Sequence, residues 1–137
     1  MNAPHEREHT LAALKSGCVR TCARLISAIE REESGLVPLL QALYCAGGGA
    51  KTIGVTGPPG AGKSSLVNQM VAELRKRGQT VAVLAVDPSS PFTGGAVLGD
   101  RLRMMQHSCD PGVFIRSMAA RGEIGGLARA AGDALTV

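Results

Sequence analysis

A chain of 137 residues is the size of one domain, and with Phe92, Phe114 and Tyr44 as its only aromatics its core has to be built from Val, Leu, Ile, Ala and Met. A net charge of +4 suits an anionic ligand, but no basic cluster with interleaved aromatics argues for nucleic acid. No apolar run is long enough to span a bilayer and no signal-peptide pattern opens the chain, so the expectation is a cytoplasmic protein with no membrane partner.

The N-terminus carries His5-Glu6-Arg7-Glu8-His9, which matches the His-Glu-x-x-His zinc-protease pattern letter for letter. That chemistry needs a helix embedded in a fold, with a third ligand and a shaped cavity. Here the pattern follows Pro4 at a chain end almost without apolar residues, so a charged, solvated terminus is expected and no zinc site. Thr10 to about Glu33 then reads as one amphipathic helix. Leu11, Leu14, Cys18, Cys22, Leu25, Ile26 and Ile29 form its apolar stripe, and Ser34-Gly35 ends it. The four cysteines (Cys18, Cys22, Cys45, Cys109) contain no CxxC pair. Cys18 and Cys22 share a helix face as small buried hydrophobes, consistent with a reducing compartment. A second helix from Val37 or Pro38 to about Cys45 stops at Gly47-Gly48-Gly49. These two helices would serve as a packing arm, a dimer contact or a partner surface, and the pattern does not choose among them.

Thr52-Ile-Gly-Val-Thr-Gly-Pro-Pro-Gly-Ala-Gly-Lys-Ser-Ser65 is the most informative stretch. Gly57, four residues, then Gly62, Lys63 and Ser64 fit the phosphate-binding loop pattern. Ile53 to Val55 reads as a buried strand, and Leu66 to Arg77 places Leu66, Val67, Met70, Val71 and Leu74 at helical spacing. Gly57, Gly60 and Gly62 supply unusual backbone angles and room for phosphate approach. Pro58 and Pro59 lack an N–H and stiffen the turn, so the donors would be amides from Gly60 and Ala61 onward, converging on a helix N-terminus. Lys63 would reach the β- and γ-phosphates, Ser64 would ligate Mg²⁺, and Ser65 would donate to the α-phosphate.

Gly78 closes that helix, and Thr80 to Asp87 is a nearly unbroken apolar run, as expected for a strand buried on both faces of a parallel sheet. Asp87 ends it at the carboxyl end, where ligands sit in open α/β sheets; a turn-initiating Asp before Pro88 is an equal reading. Pro88 to Gly99 has the composition and length of a functional loop. A short helix from Asp100 to about His107, a turn at Asp110-Pro-Gly112 and a strand over Val113–Arg116 follow. A loop over Gly122–Gly126 and a helix from Leu127 complete the pattern. His107 reads as a surface residue.

These residues resemble the MeaB/ArgK/MMAA group of phosphate-loop GTPases. The resemblance rests on Gly57–Ser64, on Ala82-Val-Leu-Ala-Val-Asp-Pro-Ser-Ser90 and on Thr93-Gly-Gly-Ala-Val-Leu-Gly-Asp100, continued by Phe114-Ile-Arg116 and Gly125-Gly126. It implies an α/β fold: an incomplete P-loop NTPase parallel sheet with flanking helices over residues 50–137, preceded by a helical N-terminal arm over residues 1–49. It also implies GTP/GDP and Mg²⁺ as ligands. The implied activity is that of a GTPase chaperone assisting an adenosylcobalamin-dependent acyl-CoA mutase of the methylmalonyl-CoA mutase type, often as a homodimer. Under it Lys63 and Asp87 are the catalytic residues, and Ser64, Asp87 and Asp100 the metal ligands. The segment from Pro88 to Asp100 would be the first switch.

A complete member of the group continues with a strand bearing a second metal-site acid, a second switch and an Asn-Lys-x-Asp guanine reader, none of which occurs here. The chain is therefore expected to be an N-terminal fragment that binds nucleotide weakly and hydrolyses little, with an uncovered strand at Ile53. Two other readings stay open: an ATP-dependent small-molecule kinase, matching an older transport-kinase label in the group, and a non-catalytic fragment.

Overall fold

A computed structural model describes residues 4–47, 49–87, 107, 109–119 and 130–137. The chain divides into two compact units, one of residues 1–50 with 129–137 and one of residues 51–128.

The first unit is helical: α1 (Pro4–Lys15), α2 (Val19–Glu30), α3 (Val37–Ala46) and a short C-terminal helix, numbered α5 below (Ala131–Thr136). The single helix expected over Thr10–Glu33 is in fact two. Gly17 takes φ +76°, its N–H donates to the Leu14 carbonyl at 2.9 Å, and the Cys18 N–H donates to Ala13 at 3.0 Å. That paired closure around a left-handed glycine terminates a helix whatever the apolar periodicity on either side. α2 ends the same way, with Glu32 at φ 53° in the left-handed position. Leu25, Ala28, Ile29, Leu36, Leu39 and Leu43 form the core, and Leu11, Leu14, Leu40, Ala130 and Val137 pack against it. The apolar stripe thus holds at Leu25, Ile26 and Ile29 and fails at its cysteines: Cys18 is exposed and Cys22 half-buried. The helix break explains this, because Cys18 caps α2 instead of lying inside a longer helix.

The second unit contains α4 (Lys63–Lys76) and two parallel strands, β1 (Val81–Asp87) and β2 (Val113–Ala119), paired from Val81↔Val113 to Asp87↔Ala119. Parallel pairing requires a long connection, and residues 88–112 lie between the two strands in sequence. The register puts Val81, Val83 and Ala85 on one face with Val113, Ile115 and Ser117, and Leu84 and Val86 on the other with Arg116 and Met118. α4 packs against β1, and Val71 and Met118 are the unit's buried apolar side chains among the described residues, Met118 fully so. The apolar run of β1 is half-buried, with Ala82 exposed, instead of buried on both faces.

The strand expected at Ile53–Val55 does not form. Residues 51–58 carry no ladder, and Ile53 is 62% and Val55 37% exposed. β-branched residues favour extended backbone, but a strand exists only where a neighbour takes its N–H and C=O groups, and none of the described residues pairs with this segment. The helix expected from Asp100 and the loop at Gly122–Gly126 lie outside the described residues, whereas the one expected from Leu127 is seen as α5 from Ala131.

Candidate phosphate-binding site

Gly57, Gly60 and Gly62 all have φ in the range that L side chains avoid, at +149°, +78° and +83°. The loop they shape is a tight one: the Ala61 N–H reaches the Pro58 carbonyl at 3.3 Å, and Pro58 and Pro59 fix the approach. Gly62 is the N-cap of α4, in the left-handed conformation, and the first helical bond runs from the Leu66 N–H to the Gly62 carbonyl at 2.9 Å. The amides of Lys63, Ser64 and Ser65 precede that bond, so they belong to the helix's first turn and not to its ladder.

The Lys63 side chain folds back over the loop. Its ammonium donates to the Gly57 carbonyl at 2.8 Å and to the Pro58 carbonyl at 2.9 Å, and its stem covers Gly57. One cation therefore closes the loop on itself. Charge along α4 follows the helix dipole: no acid occupies the first turn, and Arg75 and Lys76 stand in the last.

The geometry fits the phosphates of a nucleotide. Residues 57–62 are exposed, and a Cβ placed on Gly60 or Gly62 would meet nothing within 4 Å among the described residues, so none of these fills the cradle. Ser64 is half-buried in the first turn of α4, Ser65 is exposed, and Asp87 is the last residue of β1. Of the residues singled out by sequence, the structure brings Gly57, Pro58 and Lys63 into direct contact. It places Asp87 at a strand's carboxyl end, and Asp100 lies outside the described residues. His5 and His9 stand exposed on α1, and the described residues contain no group of three or more His, Cys, Asp and Glu placed to hold a metal.

The sequence reading missed the clasp at the other end of α4. Arg75 donates from Nε to Asp110 Oδ2 at 2.8 Å and from Nη2 to Oδ1 at 2.9 Å, and its Nη1 reaches the Gln79 carbonyl at 2.6 Å. Asp110 Oδ1 also accepts the Gly112 N–H at 2.8 Å. The hydrogen bonds from Arg75, then that from Gly112, hold the Asp110 carboxyl below its ordinary range, and the same pairing raises Arg75. This two-pronged pair ties the end of the loop's helix to the turn that feeds β2. Asp110-Pro-Gly112 announced a turn; nothing in its spacing announced Arg75, which is 35 residues away in sequence.

The profile of a family described as methylmalonyl-CoA mutase-associated GTPase MeaB matches residues 22–137. A relative from Pyrococcus abyssi, provisionally named a GTPase, is 52% identical over 130 residues, covering 95% of this chain and 40% of its own length. GTPase ArgK of Escherichia coli is 38% identical over 128 residues, covering 89% of this chain and 38% of its own. The mitochondrial methylmalonic aciduria type A homolog of Caenorhabditis elegans is 45% identical over 84 residues, covering 61% and 21%. The chain spans about two-fifths of the length of the curated relatives that match most of it.

Proposed function

The chain belongs to the MeaB family of methylmalonyl-CoA mutase-associated GTPases, and on that premise we propose that its phosphate loop binds GTP and GDP in the service of an adenosylcobalamin-dependent acyl-CoA mutase. The nucleotide part is carried by one observation: three glycines at φ +149°, +78° and +83° open a helix whose first residue, Lys63, lies folded over the loop. The mutase part rests on the names of the family and of the Caenorhabditis elegans relative alone.

In this reading the fold is that of a P-loop NTPase. Residues 51–128 contribute the nucleotide-binding part, and residues 1–50 with 129–137 a helical unit available to a partner or a second copy. The amides of Gly60 and of Gly62 to Ser65 surround the β-phosphate, while that of Ala61 is taken by the Pro58 carbonyl, and the helix dipole favours the phosphate charge. Lys63 exchanges a loop carbonyl for a phosphate oxygen, keeping its charge next to the group that is transferred. Ser64, Asp87 and Asp100 would hold Mg²⁺, which when bound neutralises charge on the phosphates. The protein would act in the cytoplasm; among the described residues no helix is long and apolar enough to cross a membrane.

Competition of GTP, GDP and ATP for a fluorescent guanine nucleotide tests this reading directly. GTP and GDP should displace the probe at concentrations no higher than ATP requires, since the chain holds no Asn-Lys-x-Asp segment to exclude adenine. Lys63→Ala should weaken GTP by about 10- to 100-fold, the loss expected for one charged hydrogen-bond donor. Equal affinity in the variant would remove Lys63 from the site, and a preference for ATP would replace the GTPase by a kinase.

A further inference from the structure

We propose that Cys18 and Cys22 form a peroxide-responsive dithiol in the helical unit, with Cys18 the sulfur oxidised first and Cys22 the sulfur that resolves it. The inference is independent of the nucleotide site.

Cys18 sits in the break between α1 and α2, exposed, as the N-cap of α2 with φ −68° and ψ 95°. The Thr21 hydroxyl donates to its sulfur at 3.3 Å. No backbone N–H completes a capping bond to the sulfur. The thiol is nevertheless held below its ordinary value, first by the Thr21 hydroxyl and then by the nearby Thr21 amide, with the Arg20 amide and guanidinium adding to the effect. These are the surroundings that favour a thiolate: a helix start, a hydroxyl donor, a neighbouring cation and open access. Cys22 lies one helical turn on, half-buried, and its N–H donates to the Cys18 carbonyl at 3.1 Å.

The chemistry takes a hydroperoxide as oxidant. The Cys18 thiolate attacks one peroxide oxygen, the O–O bond breaks, and the departing oxygen takes a proton from water to leave as an alcohol or as water. Cys18 becomes a sulfenic acid, oxidised by two electrons. The Cys22 sulfur then loses its proton and attacks the Cys18 sulfur. The S–S bond forms, the S–O bond breaks, and hydroxide leaves as water with that proton. Two thiols and one hydroperoxide thus give one disulfide, one alcohol and one water.

Helix geometry makes the product a conformational change as well. Residues four apart have Cα atoms about 6 Å apart, within disulfide reach. Inside a helix the Cβ atoms at this spacing lie about 5–6 Å apart, where a disulfide needs about 4 Å. Cys18, at ψ 95°, stands outside the helical conformation, so its side chain closes that gap by rearranging the first turn of α2. Leu25, Ile26, Ala28 and Ile29, the buried residues of α2, start one turn later, so the oxidised form keeps its core and loses only the first turn.

Titrating the chain with hydrogen peroxide, in the presence of a sulfenic-acid trap or followed by alkylation and peptide mass spectrometry, tests this. Cys18 should be modified at least about threefold faster than the exposed Cys45 and Cys109. The wild type should yield an internal Cys18–Cys22 disulfide, and Cys22→Ser should accumulate the trapped Cys18 adduct instead. Thr21→Val should slow Cys18 and Thr21→Ser should restore it, with helicity by circular dichroism as a folding control. Modification of Cys18 no faster than Cys45 and Cys109, or its pairing with either of them or with a second chain, would overturn the proposal.

Discussion

Gly62 does two things at one position: its left-handed backbone turns the loop, and its carbonyl accepts the first bond of α4. Because a Cβ there meets nothing within 4 Å, Gly62→Ala isolates the backbone cost from any clash. The expected loss is about 1–2 kcal/mol in chemical denaturation, the price of a left-handed L-residue, with weaker nucleotide binding alongside. An unchanged midpoint would mean that the loop relaxes without needing that conformation. The left-handed glycines and a lysine at the helix start were legible in the sequence because the motif's spacing fixes them. The exposure of Cys18 was not. A stripe of apolar positions continues straight through Gly17, and only the backbone shows that the chain reverses its conformation there and puts the thiol at a helix start.

At the scale of elements, the Arg75–Asp110 clasp fixes α4 against the turn before β2. Its pH dependence has a definite sign. The folded-state pKa of Asp110 is lowered, so the clasp's contribution is fully present above the ordinary carboxylate range and is lost as the pH falls through the folded value. Thermal melts from pH 7 downward should therefore fall away below about pH 4, and Asp110→Asn should start lower at pH 7 and show less of that acid-side loss. A variant with the wild-type acid profile would assign the loss to other carboxylates. Gly112 has its own role, since a Cβ there would overlap the Arg75 guanidinium; Gly112→Ala should mimic loss of the clasp. β1 and α3 were read from their apolar patterns with ends within a residue of those observed, whereas β2, expected to stop at Arg116, runs to Ala119 and α4, expected from Leu66, starts at Lys63. The strand at Ile53–Val55 was read from the same kind of signal and failed. Residue type reports a preference for extended backbone, whereas a ladder depends on a neighbour elsewhere in the chain.

Across the whole molecule, the division into two units organises what the chain can do. The helical unit is held by aliphatic packing around Leu39, which is fully buried. Leu39→Ala should cost about 2–5 kcal/mol, the range for truncating a buried leucine, and should reduce amide-exchange protection in α2, α3 and α5 together. Protection lost in α3 alone would show that these helices do not share one core. Nothing in the pattern of residues 130–137 indicated that Ala130 and Val137 would pack against Leu residues of the arm, because such a contact joins the two ends of the sequence. The family, by contrast, was legible from local motifs, and the profile match over residues 22–137 bears it out.

Amide-resolved NMR during titration with GDP and Mg²⁺ tests most directly whether the loop amides and Lys63 hold a nucleotide's phosphates. The largest shifts and the greatest gain in exchange protection should fall on Gly60, Gly62, Lys63, Ser64 and Ser65, and should vanish in Lys63→Ala at the same nucleotide concentration. Shifts centred elsewhere in the chain, with these amides unmoved, would contradict that role of the loop.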